Sequence, residues 1–134
     1  MTTSNVVGGV YNPQRTTGGV NGPVPTGDHE LVSLEGPGLF LAAEVIKQGG
    51  ISDITFVILD IDGRNVVNLS YAAAANWGLT QQNPYGLVLL KAGAEKNFTI
   101  GFPYPLCFQK SLHLSVTINE TGIAQIVANV IHGL

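Results

Sequence analysis

The chain has 134 residues, 45% of them hydrophobic and only 11% charged, with a net charge of −3. Its six basic residues (Arg15, Lys47, Arg64, Lys91, Lys96 and Lys110) are scattered, so no basic stripe exists to neutralise phosphates and direct nucleic-acid binding is not expected. No apolar run reaches the roughly 18 residues of a membrane span, and residues 1–27 lack the basic-then-apolar pattern of a secretion signal.

A typical globular chain is about 25% charged. A deficit of this size implies that part of the uncharged surface is buried against other subunits. The length is that of one domain. Composition divides it near residue 28. Residues 1–27 hold six Gly, three Pro and one charge, Arg15, and residues 1–28 are read as an extended Gly/Pro-rich arm ahead of a β-sandwich domain at 29–134. Val6, Val7, Val10, Tyr11 and Val20 are more apolar than a free linker needs, and are the expected anchors of the arm on a neighbouring lattice. Deleting residues 2–27 is then expected to leave the domain folded and to abolish attachment.

From Asp28 onward the chain is a series of short apolar segments with turn punctuation. Glu30–Glu35 alternates and ends at Gly36-Pro37-Gly38. Leu39–Lys47 is a longer strand closed by Gln48-Gly49-Gly50. Asp53–Ile61 is apolar on both faces, which suits the middle of a sandwich or a subunit interface. Asp62-Gly63 tolerates positive φ at both positions and predicts a tight hairpin into Arg64–Ser70. The alanine run in Tyr71–Trp77 predicts a short helix stopped by Gly78, with Trp77 anchoring it to the sheets.

Tyr85–Leu90, Asn97–Phe102, Leu106–Lys110, Leu112–Ile118 and Ile123–Ile131 complete the strands. Leu112, Leu114, Val116 and Ile118 share one face, with His113, Ser115 and Thr117 on the other. Seven to nine short strands without repeated crossover helices predict an all-β fold. It is an antiparallel β-sandwich of jelly-roll type with one short helix and an extended N-terminal arm.

No catalytic constellation emerges, and the chain is not expected to be an enzyme or to carry a cofactor. Asp53, Asp60 and Asp62 lack the ligand ladder of a calcium loop, so no metal is expected. His29, His113 and His132 have no nucleophile elbow or orienting acid in a matching pattern. Glu30, Glu35 and Glu44 fall at arbitrary spacings. Cys107, the one cysteine, forms no intrachain disulfide or zinc motif and reads as a buried inert thiol. Aromatics at the end of a sandwich can stack on sugars, and Trp77, Tyr85 and Tyr104 are the candidates for such a site.

Thr99–Val116 reads TIGFPYPLCFQKSLHLSV. Pro103 and Pro105 keep it extended but unable to donate ladder bonds, so the strand must bend or run along an edge. This kinked entry into an alternating strand, the earlier strand–Asp-Gly–strand hairpin and the closing strand resemble small tailed-phage structural proteins. These include head-decoration (cement) and fibre-like β-sandwich proteins. The resemblance implies a β-sandwich that forms a homotrimer on the capsid surface of the virion. It implies terminal extensions that contact the major capsid or another virion protein, with no nucleic-acid or membrane partner. The expected function is that of a capsid decoration protein; the alternative is a carbohydrate-binding or host-attachment module.

Overall fold

A computed structural model describes residues 10–81, 83, 86–89 and 95–134. The strands in chain order are β1 (Gln14–Asn21), β2 (Gly27–Glu35), β3 (Gly38–Gly49), β4 (Phe56–Ile61) and β5 (Arg64–Ser70). Helix α1 (Tyr71–Asn76) follows, then β6 (Leu87–Leu89), β7 (Glu95–Phe108), β8 (Ser111–Ile118) and β9 (Ile123–Gly133). They form a five-stranded sheet in the order β1-β9-β3-β7-β6 and a four-stranded sheet in the order β2-β8-β4-β5. Every pairing is antiparallel. The chain passes from one sheet to the other at β1–β2, β2–β3, β3–β4, β5–β6, β7–β8 and β8–β9, which is a jelly roll with β6 added at an edge.

Period-2 alternation explains the sandwich. Leu112, Leu114, Val116 and Ile118 of β8 are fully buried and meet Val45, Ile126, Ala128 and Val130 from the other sheet in one core. In β4 the inward set is Val57, Leu59 and Ile61, while Phe56 and Ile58 lie half-buried on the outer face. Asp62 (φ 53°) and Gly63 (φ 78°) form the expected two-residue turn between β4 and β5. Ser70 caps α1 by accepting the Ala73 N–H at 3.0 Å.

Four expectations are corrected. The arm does not extend to residue 28, because Gln14–Asn21 is β1, paired along its length with β9 from Gln14↔His132 to Asn21↔Gln125. Its glycines serve close packing rather than pliability. A Cβ on Gly18 would strike the Leu31 carbonyl oxygen, and one on Gly19 the Ile126 carbonyl oxygen. Deleting residues 2–27 would therefore remove a strand of the domain.

Trp77 does not anchor α1. The helix ends at Asn76, and Trp77 leaves it as the C-cap, 70% exposed. Tyr71 does the anchoring instead: its ring packs edge-on against Phe98 with centroids 5.8 Å apart, and its hydroxyl donates to the Val45 carbonyl at 2.9 Å. Cys107 is exposed, because Phe108 takes the inward position and alternation turns the preceding residue out. Finally, Leu106–Lys110 is not a separate strand, since β7 runs unbroken from Glu95 to Phe108.

The two prolines behave as their chemistry requires. Phe40 pairs with Leu106 and Ala42 with Gly101, so residues 102–105 bulge out opposite the single Leu41. Among the described residues β6 pairs with β7 at Phe98–Ile100 and Gly86 accepts the Gly101 N–H, and no strand pairs with β7 on that side at Pro103 and Pro105, which cannot donate.

Removing residues 2–21 strips β1 from β9 and uncovers the core contact of Val20. The expected outcome is loss of cooperative unfolding, or a melting temperature lowered by well over 10 °C, in thermal circular dichroism. A truncated protein that melts like the full chain would contradict this placement of β1.

Candidate functional site

The sequence-expected anchors separate along β1. Val10 and Tyr11 precede β1 at the end of the sandwich that holds the C-terminus. The Tyr11 N–H donates to the Leu134 carbonyl (3.0 Å), and the Leu134 N–H returns a bond to Tyr11 (2.7 Å). The Val10 side chain lies over Gly133, where any Cβ would collide with it. Tyr11 and Leu134 are both more than 60% exposed, next to an apolar cleft lined by Leu39, Phe108 and Leu134. Val20, toward the other end of β1, pairs with Ile126 and packs against the chain's own core. Val6 and Val7 lie outside the described residues.

Of the three aromatics considered for sugar stacking, Trp77 sits at the α1 C-cap and Tyr104, 78% exposed, on the β7 bulge. They stand on separate elements, and Tyr85 lies outside the described residues. The carboxylates are likewise dispersed. Glu30 meets His113 (2.8 Å), Glu44 is held by Asn97 and Asn129, and Asp60 by Asn65. Asp62 accepts the backbone N–H groups of Gln109, Lys110 and Ser111, tying the β4–β5 turn to the β7–β8 turn. Those three amides hold its carboxyl below the usual range. His132 accepts from or donates to Thr16 at 2.8 Å, and burial pushes its imidazole below its ordinary value. Among the described residues, no group of three or more His, Cys, Asp or Glu is placed to hold a metal ion.

The dominant polar feature was absent from the sequence reading. Lys47, buried in β3, reaches Glu120 of the β8–β9 turn (3.1 Å) and Asp53 of the β3–β4 connection (2.6 Å). Glu120 is also buried and accepts from the Thr55 hydroxyl (2.8 Å) and the Ile51 N–H (3.0 Å). Lys96 at the start of β7 takes the second Asp53 oxygen at 2.6 Å. The Lys47 ammonium lies 5.1 Å from the Tyr71 ring centroid. Asp53 itself has φ 58°, and its carbonyl accepts the Ala72 N–H of α1. The charges cancel, and the cluster joins β3, β7, α1 and two connections.

Burial alone would raise the Glu120 carboxyl, but Thr55 and the Lys47 ammonium outweigh it and hold it below the usual carboxylate range. Asp53 is lowered in the same way by Lys47 and Lys96 against its partial burial. Burial, then the negative charges of Asp53 and Glu120, pushes the Tyr71 hydroxyl up.

A carboxylate lowered in the folded state contributes stability that is complete above its unfolded value, about 4, and is lost as pH falls through the folded value. Glu120→Gln leaves Lys47 buried without its full counter-charge, and should cost about 3–5 kcal/mol at neutral pH. It should also flatten the dependence of melting temperature on pH between about 5 and 2. Calorimetry across that range checks both, and an unchanged acid slope would contradict the assignment.

No family model matches the chain, and no curated protein matches it significantly in sequence. Solved structures do. A chain of the acidic stable capsid of Helicobacter pylori bacteriophage KHP30 superposes with TM-score 0.56 at 14% identity, over 93% of this chain and 90% of that one. A chain of the cyanophage Pam1 capsid asymmetric unit gives 0.56 at 12%, over 98% and 91%. The major capsid protein P2 of bacteriophage PM2 gives 0.57 at 15%, over 90% of this chain but 51% of that one, so this chain spans about half its length. The fold is thus a jelly roll shared with phage capsid proteins.

Proposed function

We propose that this chain is a virion structural protein of a bacteriophage capsid, of the decoration or cement type. In this reading it sits on the capsid surface as a homotrimer and binds a capsid lattice through its N-terminal segment. The observation that carries the reading is the end-to-end match, over about 90% or more of both chains, with chains of similar length in two phage capsids. The scarcity of charge supports it, since a surface of Thr, Asn, Gln and apolar groups is cheap to cover with protein.

The mechanism is adhesive and has no catalytic step. Val10 and Tyr11 stand at the end with exposed Leu134 and its apolar cleft, and in sequence they directly follow the segment that carries Val6 and Val7. Ordering a segment on a lattice costs about 1–2 kcal/mol per residue in backbone entropy. Apolar contacts repeated over several linked subunits offset that loss.

Since β1 begins at Gln14, deletion of residues 2–13 separates attachment from folding. The full chain should co-sediment with capsids stripped of it, and the truncated protein should bind at least about tenfold more weakly while melting as a folded sandwich. Undiminished attachment would overturn the role of the segment. The exposure of Trp77 and Tyr104 favours a second reading, a carbohydrate-binding or host-attachment module. A saturable glycan-array signal lost on Trp77→Ala would establish it in place of the first.

A further inference from the structure

We infer that the outer face of the five-stranded sheet is where one copy of this chain docks onto the next, with Arg15 of one copy paired to Glu44 of its neighbour. The inference deepens the proposed homotrimer and rests on it. Register places the outward side chains of β1, β9, β3 and β7 in straight rows across the sheet. One row runs Thr17, Asn129, Glu44, Thr99. The Thr17 hydroxyl donates to the Asn129 amide oxygen (2.6 Å), and the Asn129 amide donates to Glu44 (3.0 Å). Asn97, one row further along, donates to the other Glu44 oxygen (3.2 Å) and accepts from Thr99 (3.3 Å). In the outermost row Gln125 donates to Asn21 (2.7 Å). The polar groups of this face bond to one another within the sheet, so covering it with protein leaves few of them unpaired. Between them lie the half-buried apolar groups Ile46, Val127 and Ile131.

Three charges lie on this face: Glu95 at the end of the outermost row, and the opposite pair Arg15 and Glu44. Arg15 and Glu44 line one shallow cleft of about 230 Å³ on this face. Arg15 is exposed and forms no ion pair or hydrogen bond among the described residues. Among the described residues Glu44 is bonded only by neutral amides, which leaves its carboxylate room for a bidentate guanidinium. A face with a free cation on its β1 edge and, two strands away, an anion without a cationic partner offers both halves of a head-to-tail contact, each copy giving Arg15 to one neighbour and receiving the other neighbour's Arg15 at Glu44. Arg15 lies on the edge strand β1, from which it can reach over the face of an adjoining copy.

The other outer face cannot serve this way. Asp28, Glu30, Glu35 and Asp60 project from it with His113, and two such faces would repel.

Sedimentation velocity on the full chain, Arg15→Glu, Glu44→Arg and the double reversal tests the pairing. Arg15→Glu alters an exposed side chain with no internal partner among the described residues, so its fold is not at risk; melting curves check Glu44→Arg. Each single reversal should weaken self-association by about tenfold or more, and the double reversal should restore it. An assembly indifferent to either reversal, or not restored by the double, overturns the inference and leaves self-association standing. A full chain that stays monomeric at every concentration overturns both, whereas capsid co-sedimentation of that monomer would still support the decoration reading.

Discussion

Lys47 carries a positive charge into the interior of the sandwich. Its ammonium is buried at one end of the core, where the β3–β4 connection, the β8–β9 turn, the start of β7 and helix α1 converge. A buried cation is tolerable only if counter-charges surround it. Glu120 and Asp53 do so, and in doing so they fix the connections that carry them. The amides of Ile51 and Ser52 point at the same Glu120 oxygen, and the left-handed Asp53 presents its carbonyl to α1. Apolar burial supplies the driving force for bringing the sheets together, but non-directional packing does not specify the path of a loop. The ion cluster does. At the opposite end Asp62 performs the matching task with three backbone amides, joining the β4–β5 and β7–β8 turns.

With both ends pinned, the sandwich presents two outer faces of different character. The four-stranded sheet shows carboxylates around His113, whereas the five-stranded sheet shows an almost uncharged lattice of amides, hydroxyls and small apolar groups. That division turns a low overall charge into a directional property. One face tolerates burial against protein and the other favours water or a basic surface. Under the proposed function the first face is the one that meets protein; the superposition on chains of the KHP30 and Pam1 capsids shows the shared fold.

The features legible in the sequence are those set by local pattern. Alternation from Leu112 to Ile118, the Asp62-Gly63 turn and the alanine run each depend on neighbours within a few residues, and together they led to an all-β sandwich with one helix. The features that escaped depend on contacts between distant positions. Gly18 and Gly19 look like a pliable arm until Leu31 and Ile126 are seen against them. Trp77 looks like an anchor because it is large, but the helix stops one residue before it and Tyr71 takes the inward place. Lys47 and Glu120 are 73 residues apart, and nothing in either neighbourhood marks them as partners. The one local hint was a lysine closing an apolar strand on the inward phase of its alternation, beside Val45.

Under the proposed function this chain is a built-in component of a phage particle. Quantitative mass spectrometry of gradient-purified virions, from a phage whose genome is found to carry this sequence, puts that to the test. The chain should be present at a fixed, high copy number in proportion to the major capsid protein and be retained through successive gradients. Its absence from purified particles, with the protein recovered only from the surrounding lysate, would rule out a structural place in the virion.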